Sequence, residues 1–311
     1  MKRFQRILVG VDLSWGDRFV AEELSAPNAE AVSQALWLAK LNSATIDFLF
    51  SLDLSAKAQE LIHESSTDES TILDEAEKRL AELVVEAQEQ GVVAKSHVVI
   101  GRSWVELIHQ VFRKQHDLVL VGTRHMSAIQ GHLIGSTGTK LLRNCPCAVW
   151  VTQPQVGEEF DSILVAHDLR PVGDLAMELG CSMARLQHAE LHVIHAADFP
   201  ESNYMFPASV SAERQREYRL QAEQHIERQL AGTELTSTTQ VQIEIEPADV
   251  AIMKCLEREK VDLIVMGTVG RTGISGFITG NTAERLLPRI QCSLLAVKPP
   301  GFKSPVQPDE D

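Results

Sequence analysis

The sequence predicts an α/β fold made twice over: two tandem, doubly wound domains, each built on a five-stranded parallel sheet. Three observations predict it. Blocks of sequence recur in the same order in the two halves. Short apolar runs rich in β-branched residues alternate with longer segments of helical periodicity. Those runs are apolar on both faces, as strands covered by helices on each side must be. DLVLVGT at 117–123 returns as DLIVMGT at 262–268, an offset of 145 residues. At the same offset Gly135, Ser136 and Thr137 meet Gly280, Asn281 and Thr282. Near the start of each half, ILVGVDLS at 7–14 matches ILVAHDLR at 163–170, which sets Asp12 opposite Asp168. The offset is 156 there, so the first half carries eleven more residues soon after its first strand.

Taken in order, the first apolar run (7–11, or 163–165) is a strand. A helix follows it, with Ala31, Val32, Ala35, Leu36 and Ala39 on one face. The second strand lies at 46–52 or 191–197. A long polar helix comes next, its stripe formed by Leu73, Ala76, Leu80, Leu83 and Ala87, or by Tyr218, Ala222, Ile226 and Leu230. The third strand is 97–100 or 242–245. The helix after it uses Val105, Ile108 and Phe112, or Val250, Met253 and Leu256. The DLVLV and DLIVM strands lead into a glycine-rich loop, a last helix and a final strand (148–151, or 294–297). The domains are placed at 1–153 and 160–300, joined by the polar TQPQVGEE, and 301–311 reads as a flexible acidic tail.

Composition excludes several classes of function. A net charge of −14 opposes a nucleic-acid surface, which needs a basic footprint, and equally opposes docking on an anionic membrane. No apolar stretch is long enough to span a bilayer, and the N-terminus lacks a signal-peptide core. Five scattered cysteines make no disulfide framework, so a reduced, cytoplasmic protein is expected. Cys145 and Cys147 have no second pair at metal-ligand spacing and read as core residues. His192 and His195 lie three apart in a strand and so face opposite sides; His195 reads as a hydrogen-bonded core histidine ahead of a second reading as a residue lining the ligand cleft. No nucleophile–base arrangement, arginine finger or evident water-activating base appears, which argues against a turnover enzyme.

The glycine loop runs from the carboxyl end of a buried strand to a helix start, where free N–H groups and the positive dipole end suit a phosphate. There is no P-loop signature, and no dinucleotide fingerprint follows the first strand. A first strand ending in aspartate, then G-x-x-G, nine residues and G-[S/T], resembles the universal stress protein family, whose ATP-binding members carry that pattern. The duplicated chain resembles its tandem type. The resemblance implies an adenine nucleotide alpha hydrolase-like fold and a stress-response regulator that binds ATP in at least one half, with Mg²⁺ left open.

Carried over residue by residue, the first-half set is Asp12, Gly122, His125, Gly135 and Ser136, with Arg124 and Thr137 beside it. Histidine replaces the second glycine there. The second-half set is Asp168, Gly267, Gly270, Gly280 and Asn281, with Thr282 one residue on; asparagine replaces the hydroxyl residue. The resemblance also implies that Ser51 and Ala196 flank the adenine. The sequence favours the second half, because close backbone approach needs glycine more strictly than it needs one donor. The aspartates have a second reading as turn formers. The resemblance further implies that the two halves pair through their final strands, leaves room for a homodimer, and calls for a regulatory protein partner. Two other readings remain open: an interaction protein with degenerate clefts, and a slow ATPase.

Overall fold

The computed structural model describes residues 3–14, 19–53, 69–125, 132–154, 159–197, 211–233, 238–268 and 281–309. They form two compact units. The first comprises Met1–Pro154 with Lys303–Asp311, and the second Gln155–Phe302.

In the first unit the chain runs β1 (Arg6–Gly10), α1 (Ala26–Asn42), β2 (Thr45–Leu52), α2 (Glu69–Glu89), β3 (Ala94–Ile100), α3 (Ser103–Lys114) and β4 (Leu118–Gly122). A two-stranded antiparallel ribbon, β5 (Arg124–His125) with β6 (His132–Leu133), precedes α4 (Ser136–Asn144) and β7 (Ala148–Thr152). The large strands are parallel in the order β7-β4-β1-β2-β3. Because β1 pairs with both β2 and β4, the winding reverses beside it, and a crevice opens at the carboxyl ends of these strands.

The second unit repeats this plan with β8 (Ser162–Ala166), α5 (Pro171–Gln187), β9 (Glu190–Ala196), α6 (Ala212–Leu230), β10 (Thr239–Glu244), α7 (Ala248–Glu259), β11 (Leu263–Gly267), α8 (Asn281–Leu286) and β12 (Ser293–Val297). Its strands are parallel in the order β12-β11-β8-β9-β10. Ile7, Leu8, Val9, Leu118, Val119 and Leu120 in the first unit, and Ile163, Leu164, Val165, Leu263, Ile264 and Val265 in the second, are fully buried. That is what near-continuous apolar strands require of a sheet covered on both faces.

The helices sit where periodicity puts them, but not always in the predicted phase. In α2 the buried stripe begins at Ile72, not Leu73. In α3 it is Leu107, Ile108, Gln110 and Val111, and in α7 it is Ala251, Ile252 and Cys255, while Val250 is exposed. Two adjacent stripes satisfy the same spacing, and the tilt of the helix on its sheet chooses between them. Within the segment read as a flexible acidic tail, Lys303–Asp311 groups with the first unit. Asp309 lies 2.9 Å from His109 Nδ1 on α3 and also pairs with Arg113. No described helix is long and apolar enough to cross a membrane.

The duplication reaches the backbone of the helix ends. Ser43 and His188 close α1 and α5 in the left-handed region, and Gln115 and Lys260 do the same for α3 and α7. Leu169 is the one remaining non-glycine residue at positive φ among those described, at 57°.

Candidate functional site

A cleft of about 450 Å³ opens in the first unit at the carboxyl ends of β1, β2 and β4. Six residues expected to serve a nucleotide line it together: Asp12, Ser51, Gly122, Gly135, Ser136 and Thr137. Asp12 follows β1, where the chain turns. Its Oδ1 accepts from the Ser14 amide at 3.0 Å and from the Ser14 hydroxyl at 2.6 Å, while its own amide donates to Asn28 Oδ1 at 3.0 Å. Asp12 is therefore a turn former and a cleft residue at once. Ser51, at the end of β2, donates its hydroxyl to the Gly101 carbonyl at 2.8 Å.

Gly122 is glycine for a reason other than phosphate access. A Cβ there would lie 2.6 Å from the Pro27 carbonyl carbon and oxygen, where α1 begins against the end of β4. Gly135 is the N-cap of α4 with extended backbone (φ −67°, ψ 174°) and no side chain to cap the helix. Ser136, Thr137 and Gly138, the first residues of α4, line the cleft at the positive end of the helix dipole. Thr123, on the cleft wall, is buried, and its Oγ1 has no hydrogen-bond partner among the described residues. Sequence reasoning missed Thr123 and Asn28. Thr123 sits in a recurring block beside a motif residue and Asn28 in the first turn of α1, but nothing local marks either as cleft-lining.

Of Arg124 and His125 the structure describes the backbone, as strand β5. Gly270 and Gly280 lie outside the described residues. Asn281 opens α8, with Thr282 half-buried after it, and Ala196 closes β9. Gly267 repeats the packing role of Gly122, since a Cβ there would lie 2.9 Å from Val172 Cγ2 on α5. Asp168 repeats the turn role of Asp12: its Oδ1 accepts from the Arg170 amide at 3.1 Å.

Around that turn the second unit is chemically different. Where the first has Val11, Phe50, Ile72 and Leu83, the second has His167, His195, Tyr218 and Gln229, with the helix stripes aligned on Ala76 with Ala222 and Leu80 with Ile226. These four make a hydrogen-bonded network. His195 Nδ1 donates to the His167 carbonyl at 2.7 Å, so its Nε2 is the acceptor for the Tyr218 hydroxyl, also at 2.7 Å. His167 has the opposite tautomer. Its Nδ1 accepts from the Leu169 amide at 2.9 Å, so Nε2 carries the proton and faces Gln229 Oε1 at 3.0 Å and Asp174 Oδ1 at 3.4 Å. His225 on α6 reaches the same Asp174 oxygen at 3.0 Å. Burial lowers the pKa of both His167 and His195. The bond to Gln229 and nearby Asp174 oppose the shift at His167, and the bond to the His167 carbonyl opposes it at His195.

His167 Nε2, Asp174 Oδ1 and His225 Nε2 lie within 4.8 Å of one another, a spacing that a divalent metal could bridge. The donor set does not fit one. A ligating histidine needs its lone pair at the metal and donates its other N–H outward, whereas His167 holds its lone pair on the Leu169 amide and its proton toward the cluster. The group is a proton-bearing network.

Thr268, the twin of Thr123, accepts from the buried Lys298 Nζ at 2.8 Å. Position 298 is Gln153 in the first half. At the other end of the first sheet, Asp47 Oδ2 receives His116 Nε2 at 3.1 Å, with His97 Nε2 at 3.4 Å. Burial alone would raise the Asp47 carboxyl, but its hydrogen bond with His116 and the nearby His97 ring outweigh burial and hold it well below the usual carboxylate range.

The family model described as the universal stress protein family matches residues 3–153 and again 159–298. Universal stress protein E of Photorhabdus laumondii is 25% identical over 99% of this chain and 99% of its own length. The protein of that name from Escherichia coli is 29% identical over 68% of this chain and 70% of its own. Among solved structures, a functionally unknown protein from Pseudomonas aeruginosa superimposes with a TM-score of 0.72 at 22% identity, covering 96% of this chain and 94% of its own. A universal stress protein from Archaeoglobus fulgidus does so with 0.65 at 21%, covering 94% and 98%. At such identities these structures speak to the fold alone.

Proposed function

The chain belongs to the universal stress protein family, and on that footing we propose that it is a stress-response regulator whose first half binds an adenine nucleotide, ATP being the one the motif points to. The observation that carries the reading is the cleft of the first unit, into which the uncapped N-terminus of α4 opens. Its volume lies within the range of small-molecule sites. The amides and hydroxyls of Ser136 and Thr137 offer a phosphate seat. Leu49, Phe50 and Leu52, with Ser51 among them, offer an apolar shelf for a base. Asp12 spends one oxygen on its own turn and has the other to offer a ribose hydroxyl. The orphaned Thr123 hydroxyl supports a polar ligand at this wall, since a buried donor without a partner costs stability until something meets it.

The sequence favours the second half on its glycines. The proposal follows the cleft to the first half, where α4 starts at its wall. Turnover has no part in the reading: the nucleotide acts by changing the surface offered to a protein partner.

Equilibrium binding of labelled ATP, ADP and AMP to wild type, Gly135→Val and Gly280→Val tests this. Gly135→Val is expected to bind at least about tenfold more weakly, while Gly280→Val stays near wild type. Loss in Gly280→Val alone would move the site to the second half. A wild type that binds none of the three would leave an interaction protein with degenerate clefts.

A further inference from the structure

Leu169 stands apart among the left-handed residues. The other four non-glycine examples are helix caps that recur in both halves, as Ser43 with His188 and Gln115 with Lys260. Leu169 caps no helix, and its twin, Leu13, is not at positive φ. A leucine in this region is strained and persists only where its surroundings over-determine it. Here the cause is the residue two positions before it. The His167 ring presents the Nδ1 lone pair to the Leu169 amide, where the first half has Val11, which has nothing to present. The His167 backbone is itself anchored, with its amide on the Ile194 carbonyl at 2.9 Å and its carbonyl on His195 Nδ1.

We propose that His167 is a proton-operated latch on the 167–170 turn of the second half: taking up a proton at Nδ1 evicts the Leu169 amide, releases the left-handed backbone, and frees Asp168 from its place. The asymmetry between the two buried histidines supports this. His195 also accepts one hydrogen bond, but from the Tyr218 hydroxyl, which can rotate and accept in its turn. The partner of His167 is a backbone N–H, which cannot turn round. Two protons cannot share one bond, so the turn must move.

The charged and titratable groups facing His167 come from each element packed on it. Among the described residues they are Asp168 in its own turn, Asp174 on α5, His225 on α6, and His195 on β9 through the carbonyl. The two carboxylates favour the proton; burial and His225 oppose it. Burial prevails, which sets the release below the ordinary histidine range. The turn is the counterpart of the 11–14 turn that walls the first cleft, so the latch controls the matching edge of the second unit. It stands whether or not either half binds nucleotide.

The test is amide exchange and histidine-ring ¹⁵N shifts on the full chain, wild type, His167→Asn and His167→Val, from pH 8 to pH 5. Asparagine places Oδ1 where Nδ1 was and does not titrate; valine copies the first half. At pH 8 the His167 shifts should report the Nε2–H tautomer. On acidification the protection of the wild-type Leu169 amide, corrected for intrinsic exchange, should fall about tenfold in step with the ring. His167→Asn should hold its protection throughout, and His167→Val should lack it already at pH 8. A Nδ1–H tautomer at pH 8, a ring that stays neutral to pH 5, or Leu169 protection unchanged through the titration would overturn the latch. So would an equal fall in wild type and His167→Asn. The wild-type shifts decide the matter even if a variant fails to fold.

Discussion

The two halves share one sheet order, one set of helix caps and one aspartate turn, yet they treat the carboxyl end of the sheet in opposite ways. In the first, aliphatic and aromatic side chains underlie the turn, the cleft is open, and a wall hydroxyl at Thr123 has no partner among the described residues. In the second, His167, His195, Tyr218 and Gln229 satisfy one another, and Lys298 satisfies Thr268. A duplicated fold keeps what its backbone needs in both copies. What it leaves unsatisfied in one copy and satisfied internally in the other indicates where a ligand is expected.

The largest expected effect that sharpens this contrast comes from helix packing. Gly180 of α5 corresponds to Ala35 of α1, but a Cβ at 180 would overlap Val165 Cγ2 on β8. Gly180→Ala should destabilise the second unit by about 3 kcal/mol in urea unfolding, overpacking outweighing the better helix propensity of alanine. A more stable variant would mean that the two helix–sheet interfaces are equally loose.

Next comes Asp47→Asn in the first unit, which removes a charged acceptor from His116 and His97 and should cost about 2 kcal/mol at pH 7. The sign with pH follows from the folded state. Asp47 is held below the ordinary aspartate value near 3.8, so its contribution is present above about pH 4 and is lost as pH falls further. His167 and His195 are held below 6.5, so their contribution is present above that value and fades as pH falls through it toward their folded pKa values. Acid titration followed by residue-resolved exchange should therefore loosen the second unit first. Simultaneous loss would break the comparison.

The smallest effects concern the twin threonines. Thr268→Val strips Lys298 of an acceptor and should cost about 1 kcal/mol, whereas Thr123→Val deletes an unpartnered hydroxyl and should leave the ligand-free protein unchanged or slightly more stable. Paired thermal melts of the two variants in nucleotide-free protein check this. Equal losses would show that Thr123 is already satisfied without ligand.

Much of the fold is legible in the chain by itself. Period-3.6 stripes such as Ala76, Leu80, Leu83 and Ala87, the unbroken apolar strands, and blocks repeating at a fixed offset depend on neighbours within a few residues or on copying, and both survive in a linear string. The turn role of Asp12 and Asp168 is equally local, since each carboxylate caps an amide two residues on. The tertiary structure alone decided the rest. It chose Ile72 over Leu73 and Ile252 over Val250, because helix tilt on a sheet is a long-range quantity. It set Gly122 against the backbone of Pro27, ninety-five residues away, as well as on the wall of the cleft. It gathered His167, His195, Tyr218 and Gln229 from three elements into one network whose tautomers are set only by what each ring nitrogen meets. Periodicity sets what can be buried; only contact between distant segments settles which side chain meets which, and which atom of it holds the proton.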